Sequence, residues 1–222
     1  AIPELGPTLR FFASDARRKS TLLLIDVEMR GVDGDGRDVV YAAATVALSS
    51  KNAPAPAIPY SDAVALQRYP RDLREAYSEI LFHGRDLRGI QKVDGWSSGG
   101  MVALVGAAPS PGTWMTHPMR SDWHTDPLVI DSAFQLSILW CFEEMGMVSL
   151  PSSLASYRQY RSAFPRDGVT AVLEVRDHTQ KKMVCDVTFF DLDAVVVARI
   201  EGYECTTDPS LRAAFRQATA SI

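Results

Sequence analysis

One stretch of this chain narrows the choice of folds more than any other. Residues 128–145 read LVIDSAFQLSILWCFEEM, apolar around nearly the whole circumference of a helix. Asp126 is a good cap residue, Pro127 fits the first helical position, and Gly146 is a normal stop. The helix they delimit is about 28 Å long at 1.5 Å per residue. A helix with no polar side must be buried in most directions. The rest of the chain therefore has to wrap it.

The wrapping material reads mostly as β-structure. Residues 21–29 and 38–48 are strand-like, and the Gly- and Asp-rich residues 31–36 between them predict a hairpin. Residues 51–59 alternate Ala and Pro, an extended linker composition. Residues 62–80 predict one or two short helices broken at Pro70. Two strands are expected between residues 90 and 106, separated by Gly95–Gly100. After the long helix come strands at 154–164, 169–176, 183–190 and 194–205, with turns at 177–182 and 191–193. This is an α+β pattern, and a long buried helix wrapped by an antiparallel sheet is a hotdog fold. The expected divisions are 1–52 (strands), 53–76 (linker and short helices), 77–209 (the hotdog around the long helix) and 210–222 (tail or linker).

Asp131 and Gln135 interrupt the apolar helix and share a face four residues apart. A carboxylate buried without partners is costly, so it is expected to keep its proton. A neutral carboxylic acid can protonate a leaving hydroxyl, which makes Asp131 a candidate general acid and Gln135 the partner that orients it. The structural alternative, a buried cap or a partner for an arginine, fits the spacing as well.

Composition removes several function classes. Acidic and basic residues are mixed, and the net charge of -4 shows no concentrated basic face for nucleic acid. Cys141, Cys185 and Cys205 lie far apart in apolar runs, as small buried hydrophobes do, with neither zinc nor redox spacing. No metal, nucleotide or other cofactor signature is present. No apolar run approaches a membrane span and the first residues are no signal segment, so a cytoplasmic location away from membranes is expected. The chain starts without Met, as an excised piece of a larger protein would.

Asp126–Gln135, DPLVIDSAFQ, resembles the His-Pro-x-x-x-Asp-x-x-x-Gln/His motif of polyketide synthase dehydratases, with Asp126 where that family often has His. Upstream, Leu81-Phe-His-Gly-Arg-Asp-Leu-Arg-Gly-Ile90 is similar to the family's Tyr-Gly-Pro-x-Phe segment, in a version closer to polyunsaturated fatty acid synthases. Leu150-Pro151 and the Phe190-Asp191 hairpin before Val195–Tyr203 extend the resemblance over residues 77–206.

The resemblance implies a double-hotdog dehydratase that eliminates water from a β-hydroxyacyl thioester, with 1–52 as strands of a partial N-terminal hotdog and 77–209 as a complete C-terminal one. The substrate would ride on the phosphopantetheine of an acyl carrier protein, with other synthase domains as further partners. Asp131 and Gln135 would be catalytic, and His83, Gly84, Pro127 and Phe134 would contact substrate. The family's base is a His in His-x-x-x-Gly, and no histidine here fits. The residues four after His83, His117, His124 and His178 are Leu87, Ser121, Leu128 and Lys182. Residue 1 is therefore expected to fall partway through the first hotdog, unless the first half is degenerate. His117 and His124 flank the helix start and are candidate substitutes, although surface histidines are common. Arg68, Arg71, Arg74, Arg158 and Arg161 could dock an acidic carrier protein or be ordinary solvated residues. Hotdogs pair, so a homodimer or an internal pair is expected. A non-catalytic pseudodomain, a product-template domain and a thioesterase or isomerase hotdog remain open as alternatives.

Overall fold

The computed structural model describes residues 8–59, 66–213 and 215. They belong to two compact units, Ala1–Asn52 and Ala53–Ile222. In the first, β3 (Leu22–Val32) and β4 (Asp38–Leu48) form the expected hairpin, with Asp33 Oδ1 taking the Asp35 and Arg37 N–H groups in the turn. β1 (Arg10–Ala13) and β2 (Arg17–Lys19), which the sequence pattern did not disclose, pair with the other edge of β3. Among the described residues of this unit no hydrophobic side chain is buried.

The second unit carries the core. Seven antiparallel strands form its sheet, six of them in the order β5 (Ile90–Ser97), β6 (Gly100–Val105), β9 (Val169–Thr179), β10 (Lys182–Phe190), β11 (Val196–Thr207) and β7 (Ser149–Ser153). β8 (Ser156–Gln159) also pairs with β11. The long helix, α3, follows the short α2 (Pro111–Trp114), spans Pro127–Met145 and packs on β5, β6, β7 and β9, with Trp140 Nε1 donating to the Ser97 carbonyl at 2.9 Å. Its N-terminus forms as its sequence dictates. Asp126 Oδ1 accepts from Leu128 N and Val129 N at 2.9 and 3.0 Å, and Gly146 ends the helix at φ 69°. Asp126 Oδ2 also takes the Ala108 N–H at 2.9 Å, anchoring the helix start to the segment after β6.

Several expected boundaries move for identifiable reasons. Residues 66–70 are not helical, while the rest of that expected element up to residue 65 lies outside the described residues. Gln67 instead exchanges both backbone hydrogen bonds with Trp96, and α1 (Leu73–Glu79) begins only after Pro70, capped by Asp72. β5 runs on through Trp96, so the turn to β6 shrinks to Ser98-Gly99. The β9–β10 turn shrinks likewise to Gln180-Lys181. The strand expected at 154–164 is replaced by β7 and β8, divided where Gly202 of β11 adopts φ 60° and the Ala155 N–H turns to the carbonyls of Glu201 and Gly202. Pro151 is tolerated in β7 because an edge strand can spare an N–H. Past residue 210 the described residues, 211–213 and 215, are not a free polar tail. Phe215 is buried, with its ring 4.3 Å from that of Phe82. Residues 216–222 lie outside the described residues.

Candidate active site

α3 is not sealed on every side. Pro127, Ile130, Asp131 and Phe134 are half-buried and recur at helical spacing, forming an open stripe along the first two turns of the helix. Asp131 is therefore not the fully buried carboxylate expected from the helix alone: its side chain retains 30% of its surface. The Phe134 ring on the same stripe stacks on Tyr203 with centroids 5.0 Å apart.

Beneath the stripe, polar groups are linked in a chain. The Ile90 N–H donates to Tyr77 Oη at 3.0 Å, and Tyr77 Oη donates to Gln135 Oε1 at 2.7 Å. Gln135 Nε2 then donates to the Leu87 carbonyl and to Asp131 Oδ2, both at 2.7 Å. The direction of this chain cannot be reversed. A backbone N–H only donates and a backbone carbonyl only accepts, so Ile90 fixes one end and Leu87 the other. The Gln135 amide must turn its nitrogen to Leu87 and hence to Asp131. Tyr77 can donate because burial is the main force holding its phenol protonated, with a pKa pushed up to about 12. The Asp131 charge adds to that effect, while the Ile90 N–H and Arg88 oppose it.

Asp131 Oδ2 is thereby compelled to accept. Among the described residues its other oxygen, Oδ1, has no hydrogen-bond partner. A protonated Asp131 keeps its Gln135 bond at full strength with the proton on Oδ1, because the hydroxyl oxygen of a carboxylic acid is the weaker acceptor. The arrangement thus presents one oxygen, on an open stripe, for proton delivery.

The backbone that supplies Leu87 and Ile90 approaches α3 closely at Gly89. A Cβ there would lie 2.1 Å from Ser132 Oγ, which is itself held by the Leu128 carbonyl. His83 comes from the same segment: it is buried, and its Nε2 lies 3.5 Å from Asp131 Oδ2. Gly84 follows it, half-buried, at the start of the 3-10 turn Arg85–Leu87. His117 and His124 are exposed in the loop before α3, and neither is paired with Asp131 among the described residues.

Tyr77 was not singled out by the sequence, although a tyrosine between Ala76 and the buried Ile80-Leu81 pair signals a hydroxyl in need of a partner. Of the basic residues, Arg71 is committed to Glu143 and Glu75, and Arg161 to Asp191. A cleft of 580 Å³ opens beside Arg68, Tyr69 and Lys92 but shares no residue with the Asp131 chain. The three cysteines are buried free thiols. Among the described residues no group of three or more His, Cys, Asp or Glu could hold a metal ion, and no helix is long and apolar enough to cross a membrane.

A long helix wrapped by an antiparallel sheet, with an oriented carboxylate on its open stripe, is a hotdog domain of the dehydratase class. The chain belongs to the polyketide synthase dehydratase family: the family model described as "Polyketide synthase dehydratase N-terminal domain" matches residues 52–212. That match covers essentially the whole second unit.

The chain is 34% identical over 134 residues to a polyunsaturated fatty acid synthase polypeptide of Thraustochytrium sp., covering 60% of this chain and 5% of that protein. Among solved structures it resembles the dehydratase domain from the CurF module of the curacin polyketide synthase, at TM-score 0.67 and 17% identity. The likeness covers 91% of this chain and 69% of that one. It also resembles an inactive aspartate-to-asparagine mutant of the CurK dehydratase, at TM-score 0.67 and 18% identity, covering 94% and 70%. At these identities the two structures establish the hotdog fold.

Proposed function

We propose that this domain removes water from a β-hydroxyacyl thioester, with Asp131 as the general acid. The observation that carries this reading is the asymmetry of the Asp131 carboxylate, with Oδ2 tied to Gln135 and Oδ1 free on the open stripe. In the elimination a base takes the α-proton, and its electron pair becomes the Cα–Cβ double bond. The Cβ–O bond breaks, and the departing hydroxyl takes the Oδ1 proton to leave as water. Gln135 holds the carboxyl in place throughout, and its Oδ2 bond strengthens as negative charge develops on Asp131.

Pro127 and Phe134 share the stripe with Asp131 and are assigned to the acyl chain, with Gly84 at its margin. Membership in a synthase dehydratase family supports a substrate delivered on the phosphopantetheine of an acyl carrier protein. The inactivity stated for the CurK aspartate-to-asparagine mutant is consistent with a carboxyl doing the acid chemistry.

The test is mass-spectrometric. A β-hydroxyacyl pantetheine thioester is incubated with the intact synthase chain and with its Asp131→Asn form. The expected result is an enoyl product whose rate falls by about 10²–10⁴-fold in the variant, the range for loss of a general acid. Equal rates would refute the role of Asp131, and absence of the enoyl product from the unmodified protein would refute the reaction. His117→Ala and His124→Ala, run alongside, assay the two exposed histidines as the base.

A further inference from the structure

His83 takes no part in the elimination as written, yet it touches the acid. It is 8% exposed, its ring is stacked on Phe82 at 4.3 Å, and Phe82 meets the buried Phe215. Its Nε2 faces Asp131 Oδ2, and its Nδ1 is buried without a hydrogen-bond partner. Asp131 is the charged group that acts on it. Arg88 lies over the Tyr77 ring, and Tyr77 reaches Asp131 only through Gln135.

Two constraints settle what the ring does. First, Oδ2 already accepts from Gln135 in a chain whose direction backbone groups fix, so it is the acceptor oxygen of the carboxyl and the proton is favoured on Oδ1. The favourable partner for an acceptor oxygen is an N–H at Nε2. Second, burial holds His83 below the ordinary histidine pKa, against the opposing pull of Asp131, so the ring is neutral near pH 7 and has one proton to place. With that proton on Nε2, the buried and unpartnered Nδ1 is the bare acceptor.

We propose that His83 is a positioning residue for the elimination. As a neutral Nε2–H imidazole it fills Oδ2 of Asp131 together with Gln135, leaving Oδ1 as the oxygen that carries the transferable proton. The 3.5 Å separation is long for a hydrogen bond and shortens when bound substrate excludes water, as contacts around catalytic groups do. His83 does not itself remove the α-proton, because Nε2 already carries its proton towards Asp131 and the bare Nδ1 is buried. This assignment rests on the dehydratase reading and adds to it a residue that acts through Asp131.

Two measurements test it. Two-bond ¹H–¹⁵N spectra of the unmodified chain, from about pH 6 to about pH 8, are expected to show Nε2 protonated and Nδ1 bare near neutrality. The opposite tautomer, or an imidazolium at pH 7, overturns the proposal. In the elimination assay, His83→Phe keeps the stacked ring and removes both nitrogens. It is expected to lower kcat about tenfold, the equivalent of one lost hydrogen bond, with KM changed by less than about twofold. His83→Gln, whose amide N–H can replace Nε2–H, is expected to recover most of that loss. A His83→Phe enzyme with unchanged kcat, or a glutamine variant as impaired as the phenylalanine one, overturns the donor role. If Asp131→Asn is inactive while His83→Phe is normal, only this inference falls. If Asp131→Asn is fully active, the elimination reading falls with it. Should His83→Phe not fold, the spectra of the unmodified chain still decide the tautomer.

Discussion

Replacing Gln135 with glutamate exchanges one NH₂ for an oxygen at a side chain with no exposed surface. The lost nitrogen serves two acceptors, the Leu87 carbonyl and Asp131 Oδ2, each 2.7 Å away. If the introduced carboxyl ionised, two like charges would stand nearly in contact. At an effective dielectric of about 20, charges about 4 Å apart repel by about 4 kcal/mol. The unmet Leu87 carbonyl adds about 1–3 kcal/mol. Together these approach the whole stability of an ordinary domain, about 5–15 kcal/mol. The less costly outcome is that the introduced carboxyl keeps a proton. Its single O–H then serves one acceptor of the two, at a loss of about 1–3 kcal/mol.

The sign of the pH effect follows directly. A carboxyl whose folded pKa is raised above the unfolded value of about 4.3 binds more protons in the native state. Stability is then greatest below about pH 4.3 and falls by about 1.4 kcal/mol per unit as pH rises towards the folded pKa. Urea unfolding across this range should show that slope for Gln135→Glu. Gln135→Met, of similar length, loses the same donors but cannot titrate, so it isolates the charge. A difference between the two variants that does not change with pH would refute the orientation assigned to the amide, and with it the placement of the Asp131 proton on Oδ1.

Two further outcomes concern the scaffold. Asp126→Ala removes the cap from the Leu128 and Val129 N–H groups and leaves Ala108 N–H without its acceptor. A loss of about 2–4 kcal/mol is expected, readable as a fall in Tm, and a loss below about 1 kcal/mol would show that water replaces the carboxylate freely. Asp186 is pushed up by burial, but the Gly202 N–H and the guanidiniums of Arg176 and Arg199 outweigh this and hold it below its ordinary value. Its contribution is therefore present above the unfolded carboxylate pKa and lost as pH falls through the folded one. Acid unfolding followed by circular dichroism should show this dependence in the parent and less of it in Asp186→Asn; an identical acid profile would count against the pairing.

Residues 126–146 carried their own structure in sequence, because a capped, all-round apolar helix has one way to exist in water. Asp131 and Gln135 stood out in it because polar groups four apart on such a helix share a face. The hairpin of β3 and β4 was legible for a similar local reason, its turn chemistry lying between two apolar runs. Tertiary structure alone decided where strands stopped, since the end of β5 depends on Gln67 pairing with Trp96 and the division of β7 from β8 depends on Gly202 of another strand. It also decided which histidine meets the acid. His117 and His124 are near Asp131 in sequence, yet His83, 48 positions before Asp131, is the one beside it, because Gly89 brings its segment against Ser132. The same approach brings Tyr77, the Leu87 carbonyl and the Ile90 N–H to Gln135. Helices and turns form from neighbours in the chain and so can be read from it. A proton's position on one carboxylate oxygen depends on donors and acceptors that meet only after folding, and no local pattern records them.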